Sequence, residues 1–226
     1  MNQLYIVGAG GLGREVLAYA RDSGKDAADG AAFEIAGFLD DRRDALQGFD
    51  VGTAVVGSTS DVRIEPHHRY VIAVGDPAVR WRLAGALARR GARFASIVHP
   101  SAYVARGARI GSGCILAPFS FVGPSAHLHS HVVLNTYASI GHDGVVEPCA
   151  VLSPYAVANG GTVIGAGAFF GTHATLIVGK KVGAWAKLGA GATAYADIEP
   201  GALALGTPAR GRVMFQAPAE PGPPEV

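Results

Sequence analysis

Large apolar residues recur at every sixth position between residues 98 and 188. All sixteen positions in this phase are apolar, and fifteen of them are Val, Ile, Leu or Phe. Because about half of an average chain is apolar, chance would produce such a run with a frequency of about 10⁻⁴ when all six phases are allowed. The run consists of Val98, Val104, Ile110, Leu116, Val122, Leu128, Leu134, Ile140, Val146, Leu152, Ala158, Ile164, Phe170, Leu176, Val182 and Leu188. The chain therefore contains an internal repeat of six residues.

This period indicates a particular architecture. A period of six fits neither an amphipathic helix nor a two-sided strand, but it is typical of a parallel β-helix built from hexapeptide repeats. Three hexads form a triangular coil of about eighteen residues, and roughly five coils stacked about 4.8 Å apart give a prism on the order of 25 Å long. We expect Gly or Asn to supply a left-handed backbone at the tight corners. An antiparallel β-sandwich is a weaker alternative, because it would not hold one period over so long a stretch.

The residues before the repeat alternate between strand and helix patterns. Short apolar runs predict strands at Leu4–Val7, Phe33–Leu39 and Tyr70–Val74. Helical patterns follow the first of these up to about Asp22 and the last from Pro77 to Arg90. Strands that alternate with helices predict a small parallel α/β sheet.

These patterns divide the chain into three parts. The hexapeptide register ends after Leu188, where Ile198 comes two positions too early. We expect a Rossmann-like half-domain over residues 1–94, a β-helix over 95–212 and a flexible tail over 213–226, the last because its end is rich in Pro and Glu.

A glycine-rich turn follows the first predicted strand. Gly8, Gly10 and Gly13 match the spacing of the dinucleotide fingerprint, between a strand and a helix as that motif requires. Such glycines let the backbone approach a phosphate, and a helix N-terminus favours negative charge. Since the domain has only half the size of a doubly wound dinucleotide fold, we expect it to bind a single nucleotide or a nucleotide sugar. NAD binding and a merely structural turn remain alternatives.

Two acidic sites follow the other predicted strands. Asp40–Asp41 and Gly75–Asp76 lie where strands of an open α/β sheet present their carboxyl ends, which is where ligands bind. The alternative is that these carboxylates cap helices or face solvent in loops. We favour ligand contact for Asp40–Asp41, whereas a cap is equally plausible for Asp76.

The composition excludes several classes of protein. The 226 residues carry a net charge of +1, which argues against nucleic acid as a partner. Two cysteines are too few for a disulfide framework. The N-terminus does not resemble a signal peptide, and there is no apolar run long enough to span a membrane. We expect a cytoplasmic protein without membrane insertion.

Histidines supply the candidate chemistry. His142 and Asp143 follow a core residue of the repeat and should lie at a corner of the prism. A neutral imidazole is suited to act as a general base, although a histidine at a turn is more commonly a solvated surface residue. His127, His129 and His131 alternate and could share one strand face, which would suit zinc, but a polar outer side of the prism explains them better.

Taken together, the motifs resemble one family. The order GAGGLG, FLDD, VGDP and then VVLNTYASIGHD within a hexapeptide helix is similar to the bacterial sugar acyltransferases of the sialic acid O-acetyltransferase (NeuD) type. That group includes N-acetyltransferases of nucleotide-linked amino sugars, and the resemblance covers residues 3–212. It implies a left-handed β-helix that forms a homotrimer, with active sites between neighbouring prisms because a prism cannot cover its own corners.

The resemblance also implies a reaction and its residues. His142 would be the general base for direct attack of an amine on the thioester of acetyl-CoA, Asp143 would raise its basicity, and the backbone N–H of Gly160 would face the thioester oxygen. Contacts to the nucleotide-linked amino sugar would fall on Gly10, Gly11, Leu12, Asp40, Asp41 and Gly75. Contacts to acetyl-CoA would fall on Gly160, Thr172, Lys180, Lys181 and Ala190.

The same resemblance leaves some points open. It implies no metal. Leu12 and Val151 stand where family members often carry histidine, which leaves the identity of the sugar open. An O-acetyltransferase acting on a sialic-acid-like sugar is the main alternative, and a zinc hydratase of the γ-carbonic anhydrase type is a distant one.

Overall fold

A computed structural model describes residues 2–223 of the chain. The N-terminal part is a four-stranded parallel sheet in the order β3-β2-β1-β4, with two helices. Its elements are β1 Asn2–Val7, α1 Gly11–Ser23, β2 Phe33–Leu39, β3 Val55–Gly57, β4 His68–Ile72 and α2 Pro77–Arg89. The predicted strands and helices are confirmed to within two residues, but the three-residue strand β3 was not predicted.

Local sequence explains why these helices form where they do. The Asp76 side chain caps α2, because its Oδ1 accepts a hydrogen bond of 2.9 Å from the Val79 N–H. Pro77 stands at the first position of that helix, where its missing N–H is tolerated. In the glycine turn before α1, a Cβ on Gly13 would lie 2.0 Å from the Gly8 carbonyl oxygen. That glycine therefore allows α1 to pack closely on β1.

The chain continues as a triangular prism of parallel strands that are each two residues long, and ends in a four-residue strand that pairs with an antiparallel one. Strands of three sheets, here called faces I, II and III, succeed one another along the chain. Face I comprises β5 Ile97–Val98, β8 Ile115–Leu116, β11 Val133–Leu134, β14 Val151–Leu152, β17 Phe169–Phe170 and β20 Lys187–Leu188, and is extended by β22 Ala202–Leu205 and β23 Arg210–Val213. Face II comprises β6 Tyr103–Val104, β9 Phe121–Val122, β12 Ser139–Ile140, β15 Val157–Ala158, β18 Thr175–Leu176 and β21 Thr193–Ala194. Face III comprises β7 Arg109–Ile110, β10 His127–Leu128, β13 Val145–Val146, β16 Val163–Ile164 and β19 Lys181–Val182.

The strand pairing confirms the hexapeptide prediction. Val133 pairs with Val151, eighteen positions on, and the same offset recurs on all three faces. The large apolar residues from Leu116 to Leu188 fill the interior of the prism. Val182 pairs with Ile198 after sixteen residues, so the predicted slip of two positions is also confirmed.

The corners differ from the expectation in which residues take the left-handed backbone. Nine non-glycine residues within the described chain have positive φ, among them Tyr137, Asp143 and Trp185. The glycines that follow the large core residues serve another purpose. A Cβ on Gly165 would lie 2.4 Å from the Ala184 nitrogen of the next coil, so close stacking of coils requires glycine there. The expectation is confirmed at six corners, where glycine has the left-handed backbone: Gly107, Gly113, Gly161, Gly167, Gly179 and Gly191. The glycines that follow the core residues do not share this conformation.

The N-terminal domain covers face I and the edge between faces III and I. The outward residues of face I, such as Val133 and Val151, share one apolar cluster with Val16 and Leu17 of α1. Arg80 of α2 is fully buried. Its Nε and Nη2 donate to the His131 carbonyl at 3.2 and 2.9 Å. Burial lowers the pKa of Arg80 to about 10, which leaves this guanidinium charged at neutral pH.

The C-terminal segment runs back from the prism towards α2. The Trp81 indole N–H donates to the Glu220 carbonyl at 3.0 Å, and Arg89 donates to the Pro221 carbonyl at 3.3 Å. Residues 224–226 of the predicted flexible tail lie outside the described residues. Flexibility of residues 213–226 and the predicted domain boundaries stay predictions.

The close approach of coils predicts an effect of one added methyl group. Gly165→Ala places a Cβ against the backbone of the next coil and should lower the free energy of unfolding by about 1–3 kcal/mol through overpacking. Gly75→Ala is the control, since a Cβ there meets no described heavy atom within 4 Å. Urea denaturation of both variants is the measurement, and equal midpoints would contradict the packing role of Gly165.

Candidate active site

The edge between faces II and III carries an imidazole–carboxylate pair. His142 Nδ1 lies 2.8 Å from Asp143 Oδ2, and both side chains are 65% exposed. Adjacent residues of a strand point to opposite faces, but Asp143 has a left-handed φ of 58°, which turns its carboxylate back to the ring. The carboxylate accepts the Nδ1 proton and so leaves Nε2 as the basic nitrogen. The predicted pairing of His142 and Asp143 is therefore present.

Gly160 lies one coil further along the same edge, directly under the imidazole ring. A Cβ on Gly160 would come within 2.3 Å of His142 Nε2. Only glycine therefore allows the ring to adopt this position. Within the described chain, the Gly160 N–H donates to no backbone carbonyl, whereas the Gly161 N–H donates to the His142 carbonyl at 2.8 Å. An unpaired N–H beside a basic nitrogen is a suitable donor to a developing oxyanion.

A groove of about 460 Å³ opens beside the pair on face II. Its wall is mostly apolar, with Phe121, Val157 and Val178 among the lining residues, and His142 and Gly160 stand at its margin. Phe121 and Val178 are exposed. A long flexible substrate arm with few charges would fit such a surface.

The predicted acetyl-CoA residues lie on two different edges. Lys180 lies between strand β18 of face II and strand β19 of face III, and Lys181 is the first residue of β19. Both therefore lie on the same edge as Gly160. Thr172 and Ala190 lie between strands of faces I and II, on the opposite edge of face II. One chain therefore does not bring all five residues to a single place.

A second cavity, of about 220 Å³, lies at the carboxyl ends of the N-terminal strands. Asp40 and Asp41 both line it, together with Thr59 from the loop after β3. Asp40 supports the turn, because its Oδ2 accepts from the Ala9 N–H and its Oδ1 from the Arg42 N–H, each at 2.9 Å. Asp41 is exposed. Of the two carboxylates, Asp41 is the better placed to contact a ligand.

The remaining predicted sugar contacts divide between this cavity and the domain junction. Gly10 is the N-cap of α1 and Gly11 is its first residue, while Gly75 directly follows Val74 of the cavity wall. Leu12, in contrast, packs into the apolar cluster that also contains Val151 of face I. The two positions at which family members often carry histidine therefore share one apolar junction here.

The other histidines do not form a ligand set. The alternation of His127, His129 and His131 suggested that they share one strand face. Of these three, only His127 lies in a strand, so they do not. The rings of His127 and His129 stack at 4.2 Å, and burial followed by the charge of His129 lowers the pKa of His127. His131 is buried against Phe94, which lowers its pKa to about 3. Residues 2–223 contain no group of three potential ligands arranged to hold a metal ion.

The cysteines are poorly suited to nucleophilic catalysis. Cys114 and Cys149 are both buried, and burial raises the pKa of each thiol to about 12. A thiol that stays protonated at neutral pH is a weak nucleophile. Neither cysteine lines the groove beside His142.

The chain combines a parallel β-helix that carries this edge site with a small α/β domain that carries a glycine turn. This combination is typical of β-helix acyltransferases, and comparisons with known proteins agree. A family model described as the PglD N-terminal domain matches residues 3–87. The acetyltransferase domain of PglB from Neisseria gonorrhoeae FA1090, in complex with acetyl coenzyme A, is 30% identical with a TM-score of 0.81, covering 94% of this chain and 100% of that chain. PerB from Caulobacter crescentus, in complex with CoA and GDP-perosamine, is 26% identical with a TM-score of 0.83. The match covers 94% of this chain and 98% of PerB.

These likenesses extend over both domains. WeeI from Acinetobacter baumannii AYE shares the fold at 24% identity with a TM-score of 0.79. The match covers 94% of this chain and 100% of WeeI. No curated protein matches the chain. The chain belongs to the family of bacterial sugar acetyltransferases with a PglD-type N-terminal domain and a left-handed β-helix. No helix among residues 2–223 has the length and apolar character needed to cross a bilayer.

Several residues of both cavities were not predicted. Thr59 was missed because β3, the strand before it, is too short for a strand pattern. Phe121 and Val178 were missed because they are outward-facing apolar residues among many in the repeat. Arg80, which lines neither cavity but joins the two domains, also was not predicted, because no sequence signal separates it from the other arginines of α2.

The two carboxylates of the N-terminal cavity should differ in their effect on stability. Asp40→Ala removes the acceptor of two backbone N–H groups and should lower the free energy of unfolding by about 1–3 kcal/mol. Asp41→Ala is the matched control and should change it by less than about 0.5 kcal/mol, as an exposed substitution does. Thermal and urea unfolding of both variants is the measurement. Equal losses would show that the turn does not depend on Asp40.

Proposed function

We propose that this chain transfers the acetyl group of acetyl-CoA to the amine of a nucleotide-linked amino sugar, with His142 as general base. The observation that carries the proposal is the imidazole itself. Its Nδ1 is paired with Asp143, and its Nε2 lies against Gly160 at the margin of an apolar groove.

The relatives support this choice of substrates. The PglB domain was solved with acetyl coenzyme A, and the Caulobacter enzyme, a perosamine N-acetyltransferase, with CoA and GDP-perosamine. Two structures of the Caulobacter enzyme carry a single histidine replaced by asparagine or by alanine. We transfer the acetyl donor and the nucleotide amino sugar to this chain because the same two domains are present here.

In the proposed mechanism the imidazole moves one proton. Nε2 of His142 takes a proton from the amine as its nitrogen attacks the thioester carbonyl, and the Asp143 carboxylate stabilises the imidazolium that forms. The Gly160 N–H donates to the oxyanion of the tetrahedral intermediate, which contributes roughly 3 kcal/mol in comparable sites. When the C–S bond breaks, the imidazolium returns its proton to the departing thiolate. The products are an amide and CoA.

The nucleotide is assigned to the N-terminal cavity. Its phosphates would lie at the N-terminus of α1, where Gly10 and Gly11 expose backbone N–H groups. Asp41 would contact the nucleoside, and Gly75 would allow the chain to pass close to it. Leu12, at the junction between the domains, would present an apolar surface to the sugar.

We further propose that the chain acts as a homotrimer. Face II has no charged outward residue, since Tyr103, Phe121, Ser139, Val157, Thr175 and Thr193 point away from the core. The predicted acetyl-CoA residues lie on both edges of this face, with Thr172 and Ala190 opposite Lys180 and Lys181. A neighbouring copy packed beside face II would bring the two kinds of edge together and exclude water from His142.

The proposed reaction also suggests a cellular role. An acetylated nucleotide-linked sugar is an activated building block, so the product would serve surface polysaccharide or glycan synthesis. We place the enzyme in the cytoplasm, because acetyl-CoA and nucleotide sugars are cytoplasmic metabolites.

Replacing the base tests the mechanism. His142→Asn should lower kcat on the order of 10²-fold or more, as loss of a general base does, with little change in KM for the nucleotide sugar. The exposed His67 gives a control variant, His67→Asn, that should keep full rate. Steady-state kinetics with UDP-, GDP- and dTDP-linked amino and hydroxy sugars is the measurement. Near full rate in His142→Asn would exclude the mechanism, and turnover with hydroxy sugars alone would favour O-acetylation.

The oligomeric state gives a separate prediction. Light scattering coupled to size exclusion should give three times the chain mass of 23.1 kDa. Tyr103→Glu puts a charge on the exposed apolar face II and should yield monomers. Arg109→Glu, at an exposed position of face III, is the control and should leave a trimer. A trimeric Tyr103→Glu variant would mean that face II is not the interface.

A further inference from the structure

Four aromatic rings form a continuous stack along the edge between faces I and II. We call it the edge column; it consists of Phe119, Tyr137, Tyr155 and His173. Their ring centroids are 5.0, 4.8 and 4.9 Å apart, and neighbouring planes are tilted by only 12–13°. The column therefore repeats with the spacing of the coils.

The backbone of the edge column is unusual for aromatic residues. All four residues have φ between 59° and 61°, a left-handed conformation that bulky side chains rarely adopt. Phe119, Tyr137 and Tyr155 are also largely exposed, at 54, 44 and 46%. Every sixth residue from 107 to 191 shares this left-handed φ, so the strain belongs to the corners in general. The edge column differs from the other corners in its regular array of exposed aromatic rings, which presents a ring face to a planar ligand at its end.

The column stops one coil before the end of the prism. The next position in the same register is Gly191, with φ of 68°, where an added Cβ meets no described heavy atom within 4 Å. Below it, Thr207 Oγ1 donates to the Gly191 carbonyl at 3.4 Å. The lower side of the His173 ring therefore faces a slot one coil high, between the column and the turn that contains Thr207.

The shape and chemistry of the slot fit a planar heteroaromatic ring. A ring placed over Gly191 would continue the column at its own spacing and would stack on an imidazole face. Thr172 and Ala190, the residues assigned to acetyl-CoA on this edge, are exposed beside the slot. Arg210, also exposed, follows the turn below it and would suit a phosphate.

We infer that the adenine ring of acetyl-CoA stacks on His173 over Gly191, as the fifth ring of the edge column. The inference rests on the proposed function, because a CoA-dependent reaction is what brings an adenine to this edge. The pantetheine arm would then run along the column towards the His142 groove of a neighbouring copy. The nucleotide of the sugar is a poorer occupant, because its cavity lies in the N-terminal domain.

Truncating the donor separates the stack from the chemistry. Acetyl-pantetheine has the same thioester and arm as acetyl-CoA but lacks the adenine. His173→Ala should raise KM for acetyl-CoA about tenfold, the order expected for loss of a base–aromatic stack. Its kcat, and both constants for acetyl-pantetheine, should stay as in the wild type. His173→Phe should restore the KM for acetyl-CoA. Phe119→Ala, at the far end of the column, is the matched control and should leave kcat and KM unchanged for both donors.

Filling the slot gives a second test. Gly191→Tyr completes the column at a backbone conformation that Tyr137 and Tyr155 already adopt. It should raise KM for acetyl-CoA at least tenfold and leave acetyl-pantetheine unaffected. The inference is overturned if both His173→Ala and Gly191→Tyr keep KM for acetyl-CoA within twofold of the wild type. It is also overturned if either variant affects the two donors equally.

Failure of the proposed function would give a different result. In that case the wild type would transfer acetyl groups to no sugar from either donor. Calorimetric titration of CoA and of pantetheine into the wild type and His173→Ala would still test whether the adenine stacks on His173. Weaker CoA binding in the variant with unchanged pantetheine binding supports the inference, and equal CoA affinity refutes it.

Discussion

The eighteen-residue register between coils is the constraint on which the rest of this molecule depends. A strand of two residues has no stability of its own, so each exists because identical strands stack above and below it. At several positions this stacking leaves no room for a Cβ, as at Gly141, whose Cβ would lie 2.4 Å from the Gly160 nitrogen. The same register sets His142 directly over Gly160. The geometry of base and backbone donor therefore follows from the repeat that forms the core.

The corners show how the repeat places side chains outward. A left-handed residue at each corner costs of order 1–3 kcal/mol when it is not glycine. At Asp143 this conformation returns the carboxylate to the imidazole of the preceding residue. At Tyr137 and Tyr155 it lines up rings whose stacking offsets part of the cost, at about 0.5–1.5 kcal/mol for each pair. At these corners the side chain makes a contact that glycine could not make.

How far the sequence predicts this structure depends on the range of the interactions involved. The spacing of Leu134 and Leu152 predicts their burial, because the core repeats with the chain. The His142–Asp143 pair was a reasonable candidate, but its contact depends on a corner φ that adjacent residues do not reveal. The column from Phe119 to His173 has an eighteen-residue spacing that is visible in the sequence, and only the expectation of glycine at the corners concealed it. Arg80 could not be predicted, because its partners are carbonyl oxygens brought together by tertiary packing.

The junction between the domains fixes the N-terminal cavity to the prism. Arg80 donates at 3.1 Å to the carbonyl of Val74, which lines the N-terminal cavity, and also to His131 at an edge of the prism. A buried charge with only carbonyl partners holds both backbones firmly, because releasing either would leave the guanidinium unsatisfied in a low-dielectric site. Leu12 and Val151 fill the neighbouring part of the junction with apolar contacts. The charged contact at Arg80 and the apolar contact at Leu12 and Val151 thus act together, and both hold the N-terminal domain against the prism.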